Sequence, residues 1–74
     1  MIRHLLRVWL PDRPGSLGEL AGAIGNAGGN VEGVEILESG AGRAIDELLV
    51  STDDIDPVVM ALARVDGVDV EWVK

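Results

Sequence analysis

The side chains of this sequence that could carry chemistry are few, and most of them stand together in one short segment. That segment, Asp12-Arg13-Pro14-Gly15-Ser16, lies between a stretch of alternating apolar residues and a stretch with helical spacing. A glycine-containing turn at the start of a helix presents unpaired N–H groups and the positive end of the helix dipole, which attract a carboxylate or a similar anion. The segment therefore predicts an anion-binding turn. The alternative is that its Pro and Gly residues only end a strand and begin a helix.

The other reactive side chains give no indication of catalysis. His4 is the only histidine and is far along the chain from Ser16, Ser39 and Ser51, whereas a nucleophilic serine needs a base beside it. The absence of cysteine excludes thiolate chemistry and disulfide bonds. A metal site at His4 would need further imidazole or carboxylate ligands, and the simpler interpretation is a half-exposed strand residue. We therefore expect a chain that is not an enzyme and that uses neither a metal nor a cofactor.

Composition and charge restrict the partners. The 74 residues are 47% hydrophobic and 26% charged, with a formal net charge of −7 at pH 7. Nucleic acids and anionic membranes attract clustered Lys and Arg, and the 6 basic residues here are scattered from Arg3 to Lys74. No apolar run approaches the roughly 18–20 residues that span a bilayer, and the first residues do not resemble a signal peptide. These observations predict a cytoplasmic protein that binds neither nucleic acid nor membrane.

Chain length limits the stability that one core can provide. A domain this short buries only about 60% of the surface that its unfolded chain exposes, and its core contributes roughly 3–5 kcal/mol. Disulfides and thiolate metal sites are not available to a chain without cysteine. Self-association, or attachment to a larger protein, is therefore the expected source of further stability.

Six elements must position the turn. Alternating apolar residues predict four strands, at 2–10, 31–39, 43–51 and 68–73. Apolar residues at helical spacing predict two helices, one beginning at Ser16 and one near Asp56-Pro57. One face of the first strand consists of apolar residues, namely Ile2, Leu6, Val8 and Leu10. With right-handed crossovers, the order predicts an α+β ferredoxin-like βαββαβ two-layer sandwich: a four-stranded antiparallel sheet with both helices on one face.

Local patterns around the first helix make narrower predictions. Ser16 and Glu19 have the spacing of a capping box, which supports a helix start at this position. The segment Gly28-Gly29-Asn30 is expected to end the helix with residues that tolerate positive φ. Glycines inside a helix destabilise it by about 1 kcal/mol each relative to Ala, so close approach to the sheet or to a partner is expected. These glycines are Gly18, Gly22 and Gly25.

Several function classes that use this fold lack their residues here. An RNA-recognition module needs aromatic side chains on its central strands, and the chain has neither Phe nor Tyr. A copper-chaperone module needs a Cys-x-x-Cys pair, and an acylphosphatase needs a Gly-rich, Arg-bearing phosphate loop that is not recognisable in Pro11 to Ser16. Function must therefore be argued from the turn.

Two segments resemble motifs of the ACT domain family, small regulatory modules that bind amino acids in biosynthetic enzymes and their regulators. Asp12-Arg13-Pro14-Gly15-Ser16-Leu17 is similar to the Asn/Asp-x-Pro-Gly-x-Leu turn of the family. Gly28-Gly29-Asn30-Val31 is similar to its Gly-x-Asn-Ile segment. The order of strands and helices also matches over essentially the whole chain, which is identified as a single ACT-like domain over residues 1–74.

The resemblance implies an amino-acid site between two subunits, with the turn of one chain facing Asn30 to Val34 of its partner. The ligand carboxylate would meet N–H donors around Gly15 and Ser16. Its ammonium would meet Asp12 and the Asn30 oxygen. Arg13 either recognises the carboxylate or is a solvated charge. The implied ligand-binding residues are Asp12, Arg13, Pro14, Gly15, Ser16, Asn30 and Val31.

Two positions depart from the family pattern and bear on the ligand. Members that recognise serine tend to carry His two residues before the Asp12 position, where this chain has Leu10. This difference disfavours serine and favours an apolar or less demanding ligand. Asp12 in place of Asn removes a donor, which favours pairing with an ammonium group over a carboxylate.

The face of the sheet opposite the helices is the expected interface. Leu5 and Trp9 lie on it, and they are either covered by a partner or isolated exposed side chains. Gly33 and Leu37 occupy the same face of the second strand. The resemblance thus implies a homodimer or higher homo-oligomer that regulates a fused or partner enzyme. The alternative is a ligand-free structural dimerisation module, for which Leu10 is the main evidence.

Overall fold

The computed structural model describes Met1 to Lys74 and confirms the predicted order of elements. The elements are β1 (Ile2–Pro11), α1 (Ser16–Asn26), β2 (Asn30–Gly40), β3 (Arg43–Thr52), α2 (Ile55–Ala63) and β4 (Asp69–Val73). All neighbouring strands are antiparallel, in the sheet order β2-β3-β1-β4. Both helices pack on one face, as the ferredoxin-like prediction required. Neither helix has both the length and the apolar character needed to cross a bilayer.

The core lies between the helices and the inward-facing side of the sheet. Its members are Leu6, Val8, Leu10, Leu20, Ile24, Ala44, Leu48, Val50, Val58, Leu62 and Val68. Strand alternation supplies the sheet residues and helical spacing supplies the helix residues, while Val68 lies in the connection just before β4. Ile2, predicted on the same face as Leu6, is 61% exposed because it lies at the end of the sheet, opposite Thr52. Each fully buried Leu or Ile contributes about 1.5–3 kcal/mol.

The start of α1 differs from the prediction in its capping. The helix begins at Ser16 as expected, but Ser16 is the first helical residue and is buried, so no capping box forms. Gly15 is the N-cap, with φ of 85° in the left-handed region that glycine adopts without strain. The Gly15 carbonyl accepts a hydrogen bond from the Glu19 N–H at 2.9 Å. Glycine at the cap position leaves no side-chain oxygen to cap the helix.

The glycines of α1 do not serve close packing against the sheet, so that part of the prediction is wrong. Gly18, Gly22 and Gly25 have open space where a Cβ would stand, because they lie on the opposite side of the helix from Leu20 and Ile24. A partner contact on this side remains a prediction.

The glycines that follow α1 have two different roles. Gly28 has φ of 93°, as expected for a helix-ending glycine. Gly29 instead permits close packing, since a Cβ there would lie 2.7 Å from Ile24 Cγ2 and 3.0 Å from Val50 Cγ1. Asn30 is already the first residue of β2.

The remaining turns use residues with positive φ or an acidic helix cap. A two-residue hairpin connects β2 to β3 through Ala41 and Gly42, both with positive φ. The α2 helix has an acidic N-cap, Asp54, whose carboxylate accepts a hydrogen bond from the Asp56 N–H at 3.1 Å. In β2 the pairing register shifts between Val31 and Gly33 and again between Ile36 and Glu38. These two bulges are not visible in the sequence pattern.

Candidate functional site

A cavity of about 160 Å³, here called the turn cavity, lies beside the segment that connects β1 to α1. Its 10 lining residues are Leu10, Pro11, Asp12, Arg13, Ser16, Leu17, Ile36, Ser39, Ala44 and Asp46. They come from the end of β1, the start of α1, the second half of β2 and the first half of β3. The predicted site residues Asp12, Arg13 and Ser16 are therefore brought together at one cavity.

The other predicted ligand-binding residues lie elsewhere. Pro14 and Gly15 belong to the turn but do not line the cavity. Asn30 stands opposite Ser51 near the last residues of β3, whereas the Asp12 N–H donates to the Gly42 carbonyl beside the first residues of β3. Asn30 and Val31 are thus at the opposite end of the sheet from Asp12. A site that combines them with the turn requires a second chain.

Asp46 is the charged cavity residue that sequence reasoning missed. Its side chain is on the inward-facing side of β3, opposite Val8 and Ile36, and only 2% of the residue is exposed. Its Oδ1 atom has no hydrogen-bond partner. Burial raises the pKa of Asp46 above its ordinary value of 3.8, and the negative charge of Asp12 raises it further. The available signal was strand alternation, which gives this acidic residue an inward position between Ala44 and Leu48.

The first turn of α1 offers free backbone donors close to the cavity. The Ser16 N–H already donates to the Arg13 carbonyl at 3.2 Å, and the Glu19 N–H donates to Gly15. The N–H groups of Leu17 and Gly18 have no acceptor within the chain. Such groups bind carboxylates well at a helix N-terminus. The Gly15 N–H also has no acceptor within the chain, so the donors open to a ligand are those of Gly15, Leu17 and Gly18, and only the Ser16 N–H of the implied pair is already occupied.

Charge and shape define what the turn cavity can hold. Asp12 and Asp46 provide negative charge, and Arg13 provides the only positive charge in the lining. Ser16 and Ser39 add hydroxyl groups, and the remaining walls are mainly apolar. No group of three or more His, Cys, Asp or Glu residues is arranged to hold a metal ion. The arrangement suits a small molecule that carries both an ammonium and a carboxylate group.

The outer sheet face, which points away from the helices, carries most of the predicted interface residues. Leu5 and Gly33 both pair with Leu49, and Trp9 pairs with Ile45. Around the Leu5–Leu49–Gly33 row is a hollow of about 270 Å³. The side chains of Leu49 and Ile45 extend the apolar surface beyond the predicted set.

Other features of the outer sheet face are polar or exposed. The guanidinium of Arg43 lies 5.0 Å from the Trp9 ring centroid, a cation–π distance. A charged pair, Arg7 and Glu47, separates the apolar rows. Leu37, at the second β2 bulge, is 40% exposed.

A third cavity is larger but contains none of the predicted residues. It is a groove of about 450 Å³ between the two helices. Its lining residues are Ala23, Asn26, Ala27, Pro57, Met60, Ala61 and Arg64. No carboxylate lines it, so it lacks the paired charges of the turn cavity.

Comparison with known proteins identifies the family. The profile of the ACT domain matches residues 4–67, most of the chain. The chain belongs to the ACT domain family. ACT domains are in general regulatory and non-catalytic. Membership of the family therefore indicates a regulatory domain. No curated protein matches it with significant similarity.

Solved structures share the fold of this ACT domain at low sequence identity. The ACT domain from a GTP pyrophosphokinase of Chlorobium tepidum is 17% identical with a TM-score of 0.67, over 99% of this chain and 95% of that one. A protein from Galdieria sulphuraria, described only as an unknown protein, is 23% identical with a TM-score of 0.78, over 97% of this chain. A protein from Bacteroides thetaiotaomicron is 18% identical with a TM-score of 0.65, over 89%. This ACT domain spans 43% of each of the latter two chains.

Proposed function

We propose that residues 1–74 form one cytoplasmic, non-catalytic regulatory domain that binds a small ligand, an amino acid, at a homodimer interface. In this proposal the bound ligand controls a metabolic enzyme or regulator that is fused to the domain or associates with it. The observation that carries the proposal is the turn cavity, where Asp12, Arg13 and Ser16 meet the unpartnered carboxylate of Asp46. Opposite charges on one small cavity match the two charged groups of an amino acid.

A second copy of the chain supplies the missing half of the proposed site. Asn30 and Val31 of the partner would face the turn, because they are too far from it within one chain. A homodimer with an isologous interface has two equivalent sites of this kind. A ligand held by both chains stabilises the dimer by linkage, and a change in dimer stability is transmitted to whatever protein is attached.

The sizes of the similar proteins support attachment to a larger protein. One of them is a domain of a GTP pyrophosphokinase, and two others are chains more than twice as long as the segment that matches. A regulatory domain has no output without such an attached or associated partner. We therefore place the regulated activity outside residues 1–74.

A screen of the common amino acids by thermal shift and calorimetry tests the proposal. We expect one amino acid, or a small group, to raise the melting temperature, and we expect Asp12→Ala and Asn30→Ala to abolish the response. Matched controls are Asp53→Ala, an exposed acid away from the cavity, and Asn26→Ala at the end of α1. Both controls should respond like the wild type. A flat response to every amino acid would contradict the proposal.

The alternative function is a ligand-free structural dimerisation module. Its support is Leu10, which forms an apolar cavity wall at the position where serine-binding relatives tend to carry His. A stable dimer that responds to no amino acid would favour this alternative.

A further inference from the structure

We propose that Asp46 is the specificity-determining residue of the turn cavity and that it accepts hydrogen bonds from the ammonium group of a small α-amino acid. This inference rests on the proposed function and adds the residue and the ligand class. The ligand class is an α-amino acid with a short apolar side chain.

The first argument is that Asp46 lacks a partner within the chain. It is 2% exposed, its Oδ1 accepts no hydrogen bond, and none of the ion pairs includes it. Buried polar atoms in folded proteins are nearly always hydrogen-bonded, and an unpaired one is destabilising. A buried carboxylate that lines a cavity without a partner is accounted for if a ligand provides the donor.

The second argument concerns the charge of that donor. Asp12 lines the same cavity, and its negative charge disfavours the ionised form of Asp46. A neutral donor would satisfy the hydrogen bond and leave the electrostatic repulsion unchanged. A cationic donor supplies the missing hydrogen bond and also reduces the electrostatic repulsion between the carboxylates. A primary ammonium group has three such donors.

The third argument explains why the ligand also has a carboxylate. Arg13 lines the same cavity, and the free N–H groups of Leu17 and Gly18 lie in the adjoining first turn of α1. These groups are donors for a carboxylate on the same ligand. An amine without a carboxylate would leave them unused.

The fourth argument limits the ligand's size and side chain. The turn cavity, at about 160 Å³, is much smaller than the groove of about 450 Å³ between the helices. The smaller space favours a compact amino acid over one with a bulky side chain. The walls near Asp46 include Leu10, Ile36 and Ala44, which favour an apolar side chain over a polar one.

Calorimetry with the complete chain tests this assignment. The probes are glycine, alanine and valine, with ethylamine as an amine that lacks the carboxylate. We expect an amino acid of this group to bind the wild type and to bind Asp46→Asn about 10- to 100-fold more weakly, the effect of losing a charge-assisted hydrogen bond. Asp53→Asn, far from the cavity, is the matched control and should bind like the wild type. Ethylamine should bind at least tenfold more weakly than the amino acid.

Proton release provides a second readout that a merely structural residue would not change. An ammonium group favours the ionised carboxylate, so binding at mildly acidic pH should release a proton from Asp46. Titrations in buffers of different ionisation enthalpy measure this release, which should disappear in Asp46→Asn. Asp12 and Arg13 are the other charged groups that line the cavity, and Ser16 and Ser39 are its hydroxyl groups. A ¹³C NMR titration of the Asp46 carboxyl carbon gives the same information without a substitution.

The outcomes separate this inference from the proposed function. Binding of an amino acid with unchanged affinity and proton release in Asp46→Asn would overturn the role of Asp46 and leave the proposed function in place. Equal binding of ethylamine would overturn the assignment of a zwitterionic ligand. Absence of binding by any amino acid would overturn both the inference and the proposed function.

Discussion

At the scale of single residues, the buried carboxylate of Asp46 couples the stability of this domain to pH. The folded state holds the Asp46 proton more tightly than the unfolded chain does, because burial and Asp12 raise its pKa above 3.8. The contribution of Asp46 to stability therefore declines as the pH rises from about 3.8 through the raised pKa. Ligand-free protein carries this penalty at neutral pH.

Replacing Asp46 with Asn removes the charge with little change in shape. We expect Asp46→Asn to increase the free energy of unfolding at neutral pH by about 1 kcal/mol. The increase should be smallest near pH 4 and should grow toward neutral pH, which urea unfolding at several pH values would measure. A gain that is independent of pH would show that Asp46 does not titrate in this range.

Glu32 provides a control of opposite sign. The Ser51 hydroxyl and, after it, Arg3 lower the pKa of Glu32 below its ordinary value of 4.5. This carboxylate therefore stabilises the fold above that pH, and the contribution is lost as the pH falls through the lowered pKa. Glu32→Gln should be slightly less stable than the wild type at neutral pH, with a difference that disappears in acid.

The residue scale also shows what sequence could reveal about the site. The Asp12 to Ser16 turn was visible because proline and glycine restrict the backbone in ways that the sequence states directly. Asp46 was accessible in principle from strand alternation, but its importance depends on the cavity formed by β1, α1 and β2 together. That cavity forms only when segments distant in the sequence pack together, and the pattern of a single sequence does not reveal this packing.

At the scale of elements, the two types of glycine near α1 predict opposite effects of the same substitution. Gly29→Ala would place a methyl group 2.7 Å from Ile24 Cγ2, so we expect a loss of roughly 1–3 kcal/mol in stability. Gly22→Ala has open space around it and should stabilise the helix by up to about 1 kcal/mol. Denaturant unfolding of the two variants side by side gives both values. A strongly destabilised Gly22→Ala would mean that a partner covers this side of α1.

The element boundaries were largely predictable and the details within the elements were not. Periodicity located all four strands and both helices, because the core needs apolar residues at period two in strands and at helical spacing in helices. The absence of a capping box at Ser16 and the close packing at Gly29 both depend on contacts between elements that are distant in the sequence. The bulges in β2 depend on its pairing with β3, which periodicity does not specify.

At the scale of the whole molecule, the outer sheet face is the proposed dimer interface. We expect the melting temperature of the wild type to rise with protein concentration, since association stabilises the folded state. Leu5→Glu should abolish this dependence and shift sedimentation to the monomer, because it places a charge in the Leu5–Leu49 row. The control is Met60→Glu, an exposed position on α2. Dissociation by Ile36→Glu but not by Leu5→Glu would move the interface to the edge of β2.

The edge position of β2 has a consequence for solubility. This strand is 11 residues long and borders the sheet, and it exposes Val34, Ile36 and Leu37. Unpaired edges of this kind recruit other strands and lead to aggregation. Here Glu35 and Glu38 are spaced along the same strand, so that an approaching copy meets like charges. Replacing these glutamates with glutamine would remove that repulsion, and the same strand would then become the first place where copies of the domain join into fibrils.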